Sequence, residues 1–247
     1  MDNDFCDVYE RFRNFPPLYT EQINDVVLSK QLEVWEFFIR SLSAKQSLFF
    51  INVDDSNIVP FNNIKINRML KREFMTLIAQ HLVERGYGYY HHVITSYCRN
   101  NECSVWGALF IGGKTRATQL ANLHSQEYAR VASRVKPSDN SVTLLKAKRD
   151  CLANNPVIVG IYAKTIDETV NDVFLYLKGQ LSGTQVETPY YLFWGEREST
   201  IPFRSWPEVH VALVISILVM HRKIVAISND TVALKTLNSK QLGIQLS

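Results

Sequence analysis

The sequence predicts an α/β chain made of two small units of similar layout, joined by a basic segment. Three observations carry this. Apolar residues recur at helical spacing in well-separated stretches, short β-rich runs flank those stretches, and the order of elements near the N-terminus returns near the C-terminus.

In chain order, Phe15, Pro16, Pro17, Leu18 and Tyr19 read as extended, because the prolines fix φ and bias Phe15 away from helix. A helix follows over 29–44, with Leu32, Trp35, Phe38, Ile39 and Leu42 on one face. Residues 48–53 form a β-rich run, closed by the turn cluster Asp54, Asp55, Ser56 and Asn57. A short helix is predicted over 64–70 and a clear one over 71–85. The stripe of the latter is Phe74, Leu77, Ile78, Leu82 and Val83, and Gly86 stands where a helix C-terminal glycine belongs. Residues 87–94 read as strand or hairpin. Helix, strand, helix, helix, hairpin is the order of a winged helix.

The second unit repeats it. A helix over 167–181 carries Val170, Val173, Phe174 and Leu177 on one face. Residues 189–194 are an aromatic extended run. A helix over about 207–221 follows, with Ser205 as N-cap and Pro207 in its first turn. Residues 223–228 and 231–234, around Asn229 and Asp230, form a hairpin. The text between the units is irregular, with a helix around 117–134. Lys114, Arg116, Arg130, Arg134, Lys136, Lys146, Lys148 and Arg149 face only Glu127, Asp139 and Asp150 between residues 112 and 150. A solvated face is the ordinary reading of such a run. The sharper one is contact with an anionic surface through Arg130, Arg134, Lys136, Lys146, Lys148 and Arg149.

Bulk composition narrows the function. The 247 residues suffice for two small domains, and 46% hydrophobic with 21% charged residues is globular. A net charge of +3 is weak for a nucleic-acid binder. Cys6, Cys98, Cys103 and Cys151 are too sparse for a disulfide scaffold and suit a reducing compartment. The acidic start Met1, Asp2, Asn3, Asp4 is no signal peptide, and the apolar run 209–220 is too short to span a bilayer. A cytoplasmic protein, peripheral to a membrane at most, is expected.

Catalytic chemistry is not legible. Gly112, Gly113, Lys114 and Thr115 lack the upstream glycine of a phosphate loop, and no local nucleophile motif marks the serines or histidines. His91, His92, Cys98 and Cys103 lie close enough in sequence to suggest zinc. The second liganding half is missing, however, and neighbouring histidines on a strand point to opposite faces. No metal, no cofactor and no enzymatic activity are therefore expected.

Several motifs occur in the order of a known family. Phe15-Pro16-Pro17-Leu18-Tyr19-Thr20-Glu21-Gln22 is followed by Gln31-Leu32-Glu33-Val34-Trp35, then by Pro60-Phe61-Asn62-Asn63-Ile64-Lys65-Ile66-Asn67-Arg68 and Leu70. The C-terminal part adds Tyr190-Tyr191-Leu192-Phe193-Trp194-Gly195-Glu196, the helix after Pro207 and Ile224-Val225-Ala226-Ile227. The chain resembles the family of vacuolar protein-sorting-associated protein 25, the small two-copy subunit of the endosomal sorting complex ESCRT-II. The likeness runs over roughly 15–95 and 167–230, and the basic span has no counterpart in it.

The residue pattern and the resemblance together divide the chain into a first winged-helix domain over 1–106, a basic insertion or linker over 107–165 and a second winged-helix domain over 166–247, and the resemblance implies the tandem winged helices. It implies a non-catalytic subunit. The first domain would dock on the larger ESCRT-II subunits through Phe15, Pro16, Pro17, Leu18 and Tyr19. The second would recruit and activate an ESCRT-III subunit in multivesicular-body sorting, at the endosomal membrane through the complex. A proline pair suits such docking because little ordering entropy is lost. Two other readings compete for the segment: packing on its own domain, and a Pro-Pro-x-Tyr ligand for a WW domain. The alternative for the whole chain is a winged-helix nucleic-acid-binding protein that uses the basic span. Against it, the helix after Pro207 carries no Lys or Arg until Arg222.

Overall fold

The computed structural model describes residues 12–100, 102–110, 157–195, 202–228 and 237–247. They fall into two compact units. The first holds residues up to 92 together with 157–165, and the second holds 93–110 and the described residues from 166 onward. The predicted helix around 117–134 lies outside the described residues.

The first unit starts from α1, Asp25–Gln46. It begins earlier than the apolar period predicts because the Asn24 side chain accepts from the amides of Val26 and Val27. It ends at Ser47, which stands in the left-handed region at φ 55°. Its stripe Leu28, Leu32, Trp35, Phe38, Ile39 and Leu42 is buried. β1, Phe50–Asn52, leads to a small ribbon of β2, Asn62–Asn63, and β3, Arg68–Met69. Between them Ile64–Ile66 makes one 3-10 turn where a short helix is predicted. Asparagine is the reason. Asn63 caps the amide of Lys65, and Asn67 takes φ 51°, so side chains close the turn that helix bonds would otherwise make. α2, Arg72–Glu84, packs on α1 and ends before Gly86 at φ 78°.

β4, Gly88–Tyr90, does not form a hairpin with the residues that follow. The chain turns helical at once, as α3, His91–Asn100. The strand that pairs with β4 is β5, Ile158–Ile161, inserted antiparallel between β1 and β4. The register sets Phe50 and Tyr89 on either side of Gly160. A Cβ on Gly160 would come within 2.3 Å of the Tyr89 ring, so that ring occupies the place of a side chain on the central strand.

The second unit takes in most of α3 and α4, Val105–Phe110. α5, Ile166–Gln180, buries Val170, Val173 and Leu177. Residues 189–194, predicted extended, form the helix α6, Pro189–Trp194. Thr188 caps the amide of Tyr191 and Pro189 takes the first turn, which together start a helix. α7, Glu208–Met220, is capped at Pro207 with no side-chain bond, where Ser205 is predicted to cap. It is apolar on all sides and buries Val209, Val211, Ala212, Val214, Ile215 and Leu218, as a central helix must. β6, Ile224–Ser228, pairs antiparallel with β7, Leu242–Leu246. The predicted partner strand at 231–234 lies outside the described residues. Glu187 bridges to Ile244 on the other edge of β7.

Candidate docking segment

Phe15 lies at φ −93°, ψ 104°, the extended geometry a following proline favours. Pro16–Tyr19 then closes one turn of 3-10 helix rather than continuing extended. Proline's fixed φ serves both conformations, so the pair alone does not choose between them. The turn divides the five residues. Phe15, Pro16 and Pro17 are exposed, while Leu18 and Tyr19 are buried at 5% and 4%.

What holds the turn is α1. Gln31 and Trp35, one helical turn apart, present polar hydrogens on the same face. The Gln31 amide nitrogen donates to the carbonyls of Pro17, Leu18 and Thr20 at 3.1, 2.9 and 2.9 Å. Trp35 Nε1 donates to the Leu18 carbonyl at 3.0 Å. Gln22 adds bonds to Pro17 at 3.2 Å and Thr20 at 2.8 Å. The Tyr19 ring meets Trp35 edge-on at 5.6 Å, and its hydroxyl donates to the carbonyls of Arg13 at 3.1 Å and Pro60 at 3.4 Å. Asn63 Nδ2 donates to the Arg13 carbonyl at 2.7 Å, and Phe61 lies 6.0 Å from Trp35. The three N-terminal motifs are thus one constellation. The roles of Gln31, Trp35 and Asn63 are not readable from local sequence. The available signal is a glutamine four residues before a tryptophan on a mainly apolar buried face.

A WW groove needs the tyrosine of Pro-Pro-x-Tyr in an extended ligand. Tyr19 is buried, bonded and on a helical turn, which sets that reading aside.

Beside this grip lies a buried charge. Glu36 accepts from His81 Nε2 at 3.0 Å and Arg40 at 3.2 Å, with Arg85 at 3.5 Å. Burial alone would raise its carboxyl. The His81 hydrogen bond and the charges of His81, Arg85 and Arg40 outweigh that and hold it below the ordinary value. In the second unit, Tyr190, Trp194, Glu208, Asn238, Ser239 and Lys240 line a 470 Å³ cavity, where the Lys240 ammonium lies 4.2 Å from the Tyr190 ring.

The remaining sequence candidates come apart. Arg130, Arg134, Lys136, Lys146, Lys148 and Arg149 lie outside the described residues. His91 and His92 open a helix, so the strand argument against zinc does not apply to them. Among the described residues no cluster of three or more His, Cys, Asp or Glu could hold a metal ion. Nor is any described helix long and apolar enough to cross a membrane.

Known proteins give the arrangement a context. No curated protein sequence matches the chain significantly. Among solved structures, the crystal structure of subunit VPS25 of the endosomal trafficking complex ESCRT-II covers 96% of this chain and 97% of its own, at 17% identity and TM-score 0.57. A chain in the structure of the ESCRT-II endosomal trafficking complex covers 97% and 99%, at 16% identity and TM-score 0.58. A chain in the endosomal complex ESCRT-II (VPS22/VPS25/VPS36) covers 97% and 99%, at 16% and 0.57. At these identities the likeness is one of fold. Family assignment comes from the sequence profile of ESCRT-II complex subunits, which matches residues 12–207. That span takes in the proline turn, the helix α1 that holds it and most of the second unit, and the chain belongs to the ESCRT-II complex subunit family.

Proposed function

We propose that the chain is the small, non-catalytic subunit of an ESCRT-II assembly in endosomal sorting, built from two winged-helix units. The first unit docks on larger subunits that correspond to VPS22 and VPS36, which stand beside VPS25 in the related complex. The observation that carries this reading is the exposed tip of Phe15, Pro16 and Pro17 on a turn fixed through its carbonyls by Gln31 and Trp35. An apolar tip that is ordered before binding loses little freedom on docking. Ile23, 97% exposed, and Val26 continue exposed apolar surface toward α1. The second unit recruits an ESCRT-III subunit, and the basic span with Arg130, Arg134, Lys136, Lys146, Lys148 and Arg149 meets anionic lipid. The nucleic-acid alternative is not favoured, since α7, the helix that would enter a groove, is buried on most sides.

The test is a triple variant, Phe15→Ser with Pro16→Ala and Pro17→Ala, co-expressed with the larger subunits. Tyr19 stays intact because it belongs to the core. The variant should remain folded, losing at most about 1 kcal/mol per proline through the unfolded chain. It should no longer co-elute with its partners. Co-elution at wild-type stoichiometry would show that the tip is not the dock.

A further inference from the structure

The end of α3 brings two thiols together. Glu102 stands at φ 47° and its amide donates to the Arg99 carbonyl at 3.4 Å, while the Cys103 amide donates to the Cys98 carbonyl at 3.0 Å. A bond from the sixth residue back to the first, around a left-handed residue, is a Schellman closure. Side chains at its first and last positions commonly touch, and they are usually apolar. Here those positions are Cys98 and Cys103. The two thiols are close enough to act on one another, and Cys98 Sγ donates to the Ser104 carbonyl at 3.7 Å. Both are free and half-buried, so small reagents can reach them.

The next residue ties this reversal to the second unit. Ser104 Oγ accepts from the Gly107 amide at 2.9 Å at the start of α4 and donates to the Leu237 carbonyl at 2.5 Å. Trp106 Nε1 donates to Glu208 at 2.5 Å.

We propose that Cys98 and Cys103 form a thiol–disulfide modification site, closed by a small-molecule disulfide such as oxidised glutathione into a bridge that clips the end of α3 to the start of α4. One cysteine thiolate attacks a glutathione sulfur. The glutathione S–S bond breaks, and one glutathione leaves as thiolate and takes up a proton. The second cysteine attacks the mixed disulfide and expels the other glutathione. The protein pair gives up two electrons and two protons, and glutathione disulfide receives them. Burial and the neighbouring thiol push Cys98 up to about 11, so little thiolate is present near neutral pH and closure quickens as pH rises.

The experiment uses the full chain carrying Cys6→Ser and Cys151→Ser, treated with oxidised glutathione, alkylated and weighed. The expected product is lighter by two hydrogens, carries no glutathione, resists alkylation at both cysteines and reverts with dithiothreitol. Bridge formation should be favoured about tenfold or more over the same chain in urea, because the closure holds the thiols together. Cys98→Ser should stop at a mixed disulfide on Cys103. A stable mixed disulfide on the intact pair, two alkylated cysteines, a urea-unfolded chain that closes as readily, or an unreactive Cys103 in the single variant would each overturn the proposal.

Discussion

Pro16–Tyr19 in the first unit and α6, Pro189–Trp194, in the second are both short helical turns that open on proline and carry aromatic residues, yet they are held by different means. Before α6 stands Thr188, whose hydroxyl caps the Tyr191 amide, and the turn buries Pro189, Leu192 and Phe193 beneath itself. Tyr176 also donates to the Leu192 carbonyl at 2.6 Å. Before Pro16 stands Phe15, which makes no side-chain cap. The grip comes from Gln31 and Trp35 on another helix and falls on backbone carbonyls. A turn capped by its own flanking threonine, with Tyr176 adding one bond to a carbonyl, becomes core. A turn held through its carbonyls keeps side chains for something else, and here Phe15, Pro16 and Pro17 are left outside.

The heaviest blow to this contrast is removal of the anchors. Trp35 and Phe193 are both fully buried, so each change to Ala should cost about 3–5 kcal/mol in urea unfolding. Trp35→Ala should also release the Pro16–Tyr19 turn, seen as faster amide exchange at Leu18 and Thr20, whereas Phe193→Ala should leave that turn protected. Equal exchange at Leu18 and Thr20 in the two variants would mean that Trp35 is core only, and that the turn is held elsewhere.

A finer cut separates the two kinds of grip. Gln31→Ala strips donors from three carbonyls and should cost about 1–3 kcal/mol. Thr188→Ala removes one cap and should cost about 1 kcal/mol. The Gln31 change should also lower affinity for the larger subunits, and the Thr188 change should not. A Thr188 variant that is the less stable of the two, with the turn at 16–19 unaffected in the Gln31 variant, would reverse the comparison.

The same pair of turns shows what local sequence can and cannot say. Helices α1, α2 and α5 are legible because a buried stripe at helical spacing needs no knowledge of its partner, and α7 because a long apolar run opens on Pro207. The proline turns are not, since proline's φ fits extended and helical chain alike. Thr188 was the available clue for α6. The strand partner of β4 is illegible for another reason: it arrives from 158–161, and nothing in Tyr89 says that its ring will lie on Gly160. For the docking segment the motif was visible and its mechanics were not. The carbonyls that Gln31 and Trp35 hold lie 11 to 17 residues from them in sequence.

The smallest effect expected is one of acid. Glu36 neighbours Trp35 on α1, and its carboxyl is held below the ordinary range by His81, Arg85 and Arg40 against the opposing pull of burial. A group depressed in the folded state contributes stability that is present above its unfolded value, near 4.3 for glutamate. That stability is lost as pH falls through the folded value. Wild type should therefore exceed Glu36→Gln in stability at pH 7 and pH 5, and the margin should shrink below about pH 4. Because Glu36 and Trp35 share a helix turn, acid should also loosen 16–19 before α6, which brief proteolysis at pH 7 and pH 3.5 would show by earlier cleavage near Phe15. A margin that stays constant with pH would mean that Glu36 matters to α1 as a hydrogen-bond acceptor and not as a charge. Cleavage near Tyr190 ahead of Phe15 would mean that the second unit, and not the docking turn, is the acid-sensitive part of the molecule.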